Sequence, residues 1–208
     1  MEVKQTKKLD RRQARTKRQI REALMELLEE STVDKITVKA LAERADIDRK
    51  TFYLHYGSIG DLLSEIQDEL LQEVLQLTDA YDLFQPDFDA LGLFRQLNDL
   101  IGQNSDFYRR LVIADQYNFF YSKLKDSLKD FLHEKYHQRE ALSTLSPVKL
   151  DLYAEYVTAG VMSIYVAWLK NPAFDLEEVA EAVSEITYGG VRAVLDSVLA
   201  RKESAPLP

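Results

Sequence analysis

Ile36-Thr37-Val38-Lys39-Ala40-Leu41-Ala42-Glu43-Arg44-Ala45-Asp46-Ile47-Asp48-Arg49-Lys50-Thr51-Phe52-Tyr53-Leu54-His55-Tyr56 decides how this chain is read. Thr37 suits the N-cap of a short helix from Val38 to Ala45. Asp46 follows as a turn residue, Asp48 can cap a second short helix to about His55, and Gly57 stops it. Two short helices joined by a tight turn are the geometry of a helix-turn-helix, whose second helix lies in the DNA major groove. Leu41 and Ala42, with Ile47 and Phe52 beyond the turn, supply the small core that fixes the interhelical angle. Asp tolerates the left-handed conformation such a turn needs better than most non-glycine residues.

The outward face then carries Arg49, Lys50, Thr51, Tyr53 and His55, with Tyr56 closing the segment. Arg and Lys can donate to guanine O6 and N7, and Thr to bases or phosphates. Tyr and His more often position a protein against phosphates. Thr37, Val38 and Lys39 sit at a helix N-terminus, where free N–H groups favour a phosphate. Upstream runs Lys7, Lys8, Arg11, Arg12, Arg15, Lys17 and Arg18, a source of phosphate or minor-groove contacts, of which Arg15 and Lys17 are the expected ones. The plain alternative is a solvated helix start with no partner.

The charge distribution agrees with a nucleic-acid-binding head. The 208 residues hold 27 basic and 35 acidic side chains, a net −8. Residues 1–21 hold nine basic and two acidic groups, +7; residues 1–56 sum to +4, and residues 57–208 to −12. A basic head on an acidic body suggests a polyanion-binding module joined to something else. Cysteine is absent, which excludes a disulfide framework, thiolate metal sites and a cysteine nucleophile. No apolar run approaches the ~20 residues that span a bilayer, and the basic N-terminus lacks a secretory h-region. A cytoplasmic location is expected, with no membrane partner.

Outward from the quoted stretch the chain reads as all-α, with roughly nine helices: a three-helix head and a larger C-terminal bundle. Ile20, Ala23, Leu24, Leu27 and Leu28 make one apolar stripe before it. Ser58 and Asp61 form a capping box for a helix through Leu62, Leu63, Ile66, Leu70 and Val74. After a loop around Gln85–Pro86, helices are predicted over Leu91–Gln103, Asp106–Ala114 and about Tyr117–Arg139. Ser146–Pro147 opens a helix to Asn171, and an Asp175/Glu178 capping box opens the last, through about Ala200. Expected units are 13–73 for the DNA-binding head, 74–203 for the body and 204–208 for a disordered tail.

Ile36 to Ala42, then Ala45-Asp46-Ile47, then Thr51-Phe52-Tyr53-Leu54-His55-Tyr56, then Leu62-Leu63, resembles the TetR/AcrR family of bacterial one-component regulators. The match covers about residues 17–72, and the F-Y-x-H-Y ending is its most specific part. The resemblance implies a homodimer binding a palindromic double-stranded DNA operator through two heads, as a regulator, most often a repressor. The body would bind a small-molecule effector and dimerise through its last two long helices. Two positions depart: such families usually place Gly where Asp46 stands, and Lys where Ile59 stands. The second leaves room for an alternative, a coregulator on the same scaffold with little DNA binding.

Aromatics crowd the body. Most are ordinary core, since aromatics dominate helical packing, but an aromatic pocket with a few polar groups is a usual ligand site. Phe107, Tyr108, Phe120, Tyr121, Tyr156 and Tyr165 are the candidates for an effector pocket. Val157, Gly160, Val161, Ile164, Trp168, Val183, Ile186, Gly190 and Val194 are the candidates for a dimer interface. Gly160, Gly189 and Gly190 cost roughly 1 kcal/mol each inside helices, which close backbone approach would offset. Packing inside the chain is as good a reading as packing between chains, and the resemblance favours the second.

His133-Glu134-Lys135-Tyr136-His137 matches H-E-x-x-H, the zinc-protease helix motif. At about 100° per residue, Leu124, Leu128 and Leu132 form one stripe and His133 and His137 lie opposite it. No third ligand follows in Gln138-Arg139-Glu140. A zinc metallohydrolase through His133, Glu134 and His137 is therefore the remote alternative; no enzyme, metal or cofactor is expected.

Overall fold

In the computed structural model, nine α-helices are laid out among the described residues, in order α1 (Glu2–Glu30), α2 (Val38–Arg44), α3 (Arg49–Tyr53), α4 (Ile59–Asp79), α5 (Ala90–Gly102), α6 (Ser105–Ala114), α7 (Phe119–His137), α8 (Pro147–Lys170) and α9 (Leu176–Glu203). The structure describes residues 2–83, 85, 87–114, 119–139, 142, 145–171 and 173–203, with backbone alone for 2–11, 119, 120, 195 and 198–203. A 3-10 turn, Val33–Lys35, joins α1 to α2. The expected tail 204–208 lies outside the described residues.

Local chemistry sets the boundaries. Thr37 caps α2 by accepting the Ala40 N–H at 3.1 Å, and Ser58 caps α4 by accepting that of Asp61 at 3.1 Å. Ser146 caps α8, whose first residue is Pro147. Asp175 accepts from Glu177 N at 2.7 Å at the start of α9. Asp48 holds the N-cap position of α3, but its side chain makes no capping bond, in contrast to the expectation.

The larger of two apolar clusters among the described residues runs from head to body. Ile20, Leu24, Leu41, Phe52 and Leu62 pack the head; Leu71 and Val74 of α4 and Leu111 of α6 continue it to Leu97, Trp168 and Val183 in the body. In the bundle α5 lies on α9, α7 on α8 and α4, and α6 on α8, while α1 touches both α2 and α6. α4 crosses the expected 73/74 boundary without a break, so head and body share a rigid strut. By length and composition α8 is apolar enough to cross a membrane. Its Leu150, Ala154, Met162, Tyr165 and Trp168 are buried in the bundle.

Candidate nucleic-acid interface and body cavity

The α2–α3 turn is a Schellman closure. Ile47 N–H bonds the Ala42 carbonyl at 3.0 Å and Asp46 N–H that of Glu43 at 3.3 Å. Asp46 supplies the left-handed residue this closure needs, at φ 52°, the one positive φ among described non-glycine residues. The closure directs fully buried Phe52 inward. Positions 49, 50, 53 and 54 then share the outer side of α3, since residues three and four apart on a helix are neighbours.

Arg49 and Lys50 are exposed there, as are Tyr53 at 57% and Leu54 at 75%. Thr51 and His55 are half-buried beside them. Arg15, Thr37 and Lys39 are exposed and Val38 is half-buried. Leu54, at the C-cap of α3, is an exposed apolar member of this face that is absent from the sequence candidates.

Two expected DNA contacts are engaged within the head instead. Tyr56 is only 4% exposed, and its hydroxyl donates to Glu65 Oε1 at 2.6 Å. Lys17 Nζ donates to Glu65 Oε2 at 2.5 Å and lies 5.5 Å from the Tyr56 ring centroid. Arg21 completes the network, bonding Glu65 at 2.9 Å and both carboxylate oxygens of Glu69 at 2.6 Å. Burial alone would raise the Glu65 carboxyl, but hydrogen bonds from Lys17, Tyr56 and Arg21 outweigh it and hold it at about 2. Burial and the bond to Glu65 push the Tyr56 hydroxyl up. Neither Glu65 nor Arg21 was a candidate, although Lys17/Arg21 and Glu65/Glu69 form matched i, i+4 pairs of opposite charge.

Within the body, an apolar cavity of about 180 Å³ lies among helices α4 to α9, lined by Leu97, Tyr108, Tyr121, Leu124, Phe131, Met162 and Tyr165 among others. Three of the six aromatic candidates, Tyr108, Tyr121 and Tyr165, line it. Phe107 packs against Tyr108 outside the lining, at 5.7 Å between centroids. The side chain of Phe120 lies outside the described residues. Tyr156 is 71% exposed and borders an adjoining groove between α8 and α9, which shares Val157 and Val161 with the cavity.

The lining of that groove includes seven of the nine interface candidates, Val157, Gly160, Val161, Ile164, Ile186, Gly190 and Val194, beside residues such as Tyr153, Glu155 and Val191. Trp168 and Val183 are instead buried inside this chain, because their helical faces meet the core. Among the described residues, a Cβ built on Gly160, Gly189 or Gly190 would meet nothing within 4 Å, so no described intrachain contact explains these glycines.

His133 and His137 bring their Nε2 atoms to 3.1 Å, half-buried and exposed respectively. No group of three or more His, Cys, Asp or Glu able to hold a metal ion occurs among the described residues.

Residues 20–66 match the family model of bacterial regulatory proteins of the tetR family, and residues 89–189 that of a transcriptional regulator C-terminal region. The uncharacterized HTH-type transcriptional regulator YxbF of Bacillus subtilis (strain 168) is 23% identical over 175 residues, 81% of this chain. The chain spans only 43% of that relative's length. Among solved structures, a TetR transcriptional regulator from Streptococcus agalactiae 2603V is similar at TM-score 0.63 and 21% identity, over 88% of this chain and 98% of that one. The dihydroxyacetone kinase operon activator DhaS is similar at 0.59 and 18%, over 86% and 97%. At such identities these structures establish the fold.

Proposed function

The chain belongs to the TetR/AcrR family of bacterial transcription regulators, and on that premise we propose that it is a homodimeric repressor. It acts in the cytoplasm, as a regulator and not an enzyme, and a small-molecule effector in the body modulates its binding to a palindromic operator. The observation that carries the reading is the outer side of α3. Arg49, Lys50, Tyr53 and Leu54 project from one short helix that Phe52 anchors behind. Arg49 and Lys50 read guanine edges, Leu54 packs on a thymine methyl, and Tyr53 with Lys39 holds phosphates.

Dimerisation rests on the α8–α9 groove. Gly160, Gly189 and Gly190 weaken their helices with no neighbour among the described residues in return, and Ile186 beside them is 60% exposed. A second copy packed on this face supplies the missing contacts. Each head then enters one major groove, with half-sites one helical turn, ~34–36 Å, apart or a multiple of that. Effector binding favours a head spacing that no longer fits, a coupling of ~1–3 kcal/mol that DNA returns on the effector. Selection of bound sequences from random duplexes tests the reading. A palindromic site is expected, and a pool with no enriched sequence contradicts it.

A further inference from the structure

We infer that the body cavity takes an uncharged, largely apolar molecule of about one aromatic ring or an equivalent hydrocarbon, recognised by shape and not by charge. The inference rests on the effector-binding reading above and adds the ligand's chemical class. None of the described residues lining the cavity carries a charge. Its hydroxyls are mostly committed within the protein. Tyr165 donates to Asn98 Oδ1 at 2.8 Å, Thr158 to the Ala154 carbonyl at 2.7 Å and Thr78 to that of Val74 at 2.8 Å. Asn98 is fixed in turn, donating to the Leu176 carbonyl at 2.5 Å. Tyr121 and Thr187 hold hydroxyls with no hydrogen-bond partner among the described residues, enough to orient one neutral polar group of a ligand.

A carboxylate or ammonium entering here sheds its water and meets no counter-charge, which is strongly unfavourable. Apolar surface entering is favourable at every atom. Size gives a second guide, since an engineered apolar cavity of about 150 Å³ admits benzene, and this one, which adjoins the α8–α9 groove, is about 180 Å³.

Met162 lines the cavity and Met25 lies in α1, giving two natural reporters. Methyl NMR of the full chain labelled at methionine is titrated with toluene and indole, and with benzoate and benzylammonium as charged counterparts of toluene. The Met162 signal, assigned through Met162→Leu, moves saturably with the neutral probes. The charged ones require at least tenfold higher concentration. Val112→Phe, which fills the cavity from α6, weakens toluene at least tenfold. Charged probes binding within tenfold of toluene, no Met162 shift up to the solubility limit, or unweakened binding to folded Val112→Phe would each overturn the inference. Should Val112→Phe not fold, the comparison of charged and neutral probes at Met162 decides alone. If toluene moves Met162 while affinity for the selected duplex is unchanged, the ligand class stands and the effector reading falls.

Discussion

Tyr56 closes the helix-turn-helix with a hydrogen bond from its hydroxyl to Glu65 Oε1, 2.6 Å away on α4. With Lys17 and Arg21 of α1 gripping the same carboxylate, three elements of the head meet at one acid. Helix α3 is therefore held at a fixed angle to α4, which enters the body.

Glu65→Gln removes the charge at the centre of this network and should cost about 1–3 kcal/mol, read from urea unfolding. Tyr56→Phe should cost about 1 kcal/mol. The carboxyl sits at about 2 in the folded chain against 4.5 as its ordinary value. A depressed folded value means that the contribution is complete above about 4.5 and is lost as pH falls from there toward 2. The Glu65→Gln penalty should therefore shrink across that interval, and a penalty constant with pH would remove Glu65 from this role.

Arg110 of α6 joins body to head: its Nη1 donates to the Met25 carbonyl of α1 at 3.0 Å, and it also pairs with Glu29. The same short helix presents Tyr108 and Val112 to the cavity. Arg110→Ala should cost about 1–2 kcal/mol of stability and reduce the coupling between effector and DNA below ~1 kcal/mol. Titrating the ligand with and without duplex measures it.

Asp46 pays a conformational cost at φ 52°. Asp46→Gly should stabilise the chain by about 0.5–1 kcal/mol, and Asp46→Val should destabilise it by about 1–2 kcal/mol, both by thermal unfolding. Equal stabilities would mean the turn is not held in this conformation.

Ile186→Glu places a charge on an exposed position, so the fold should change by less than about 0.5 kcal/mol. Dimer dissociation, followed by sedimentation, should rise at least ~10-fold. A wild-type chain that sediments as a monomer would contradict the dimer directly.

Most helices were legible because their signals are local. Thr37, Ser58 and Ser146 each announce a helix start through one hydroxyl, and α8 begins at the expected Pro147. The Asp46 turn was legible from a single residue type. What stayed hidden was which neighbour covers each face. Periodicity puts Trp168 and Val183 on apolar stripes but cannot say that the chain's own core, and not a second copy, covers them. Tyr56 and Lys17 read as outward polar residues because Glu65, their partner, lies nine and 48 positions away. Tyr156 read as a pocket residue by type, whereas its place on α8 turns it to solvent.

The most direct test of groove reading by α3 is the salt-dependent affinity of the full chain for the selected duplex beside an unrelated one. The selected duplex should bind at least ~10³-fold more tightly at physiological salt, with affinity falling steeply as salt rises. Lys50→Ala should cost about 1–3 kcal/mol on the selected duplex alone, whereas Tyr53→Phe should weaken both duplexes alike. Equal affinity for the two duplexes, or retention that does not respond to salt, would contradict the account.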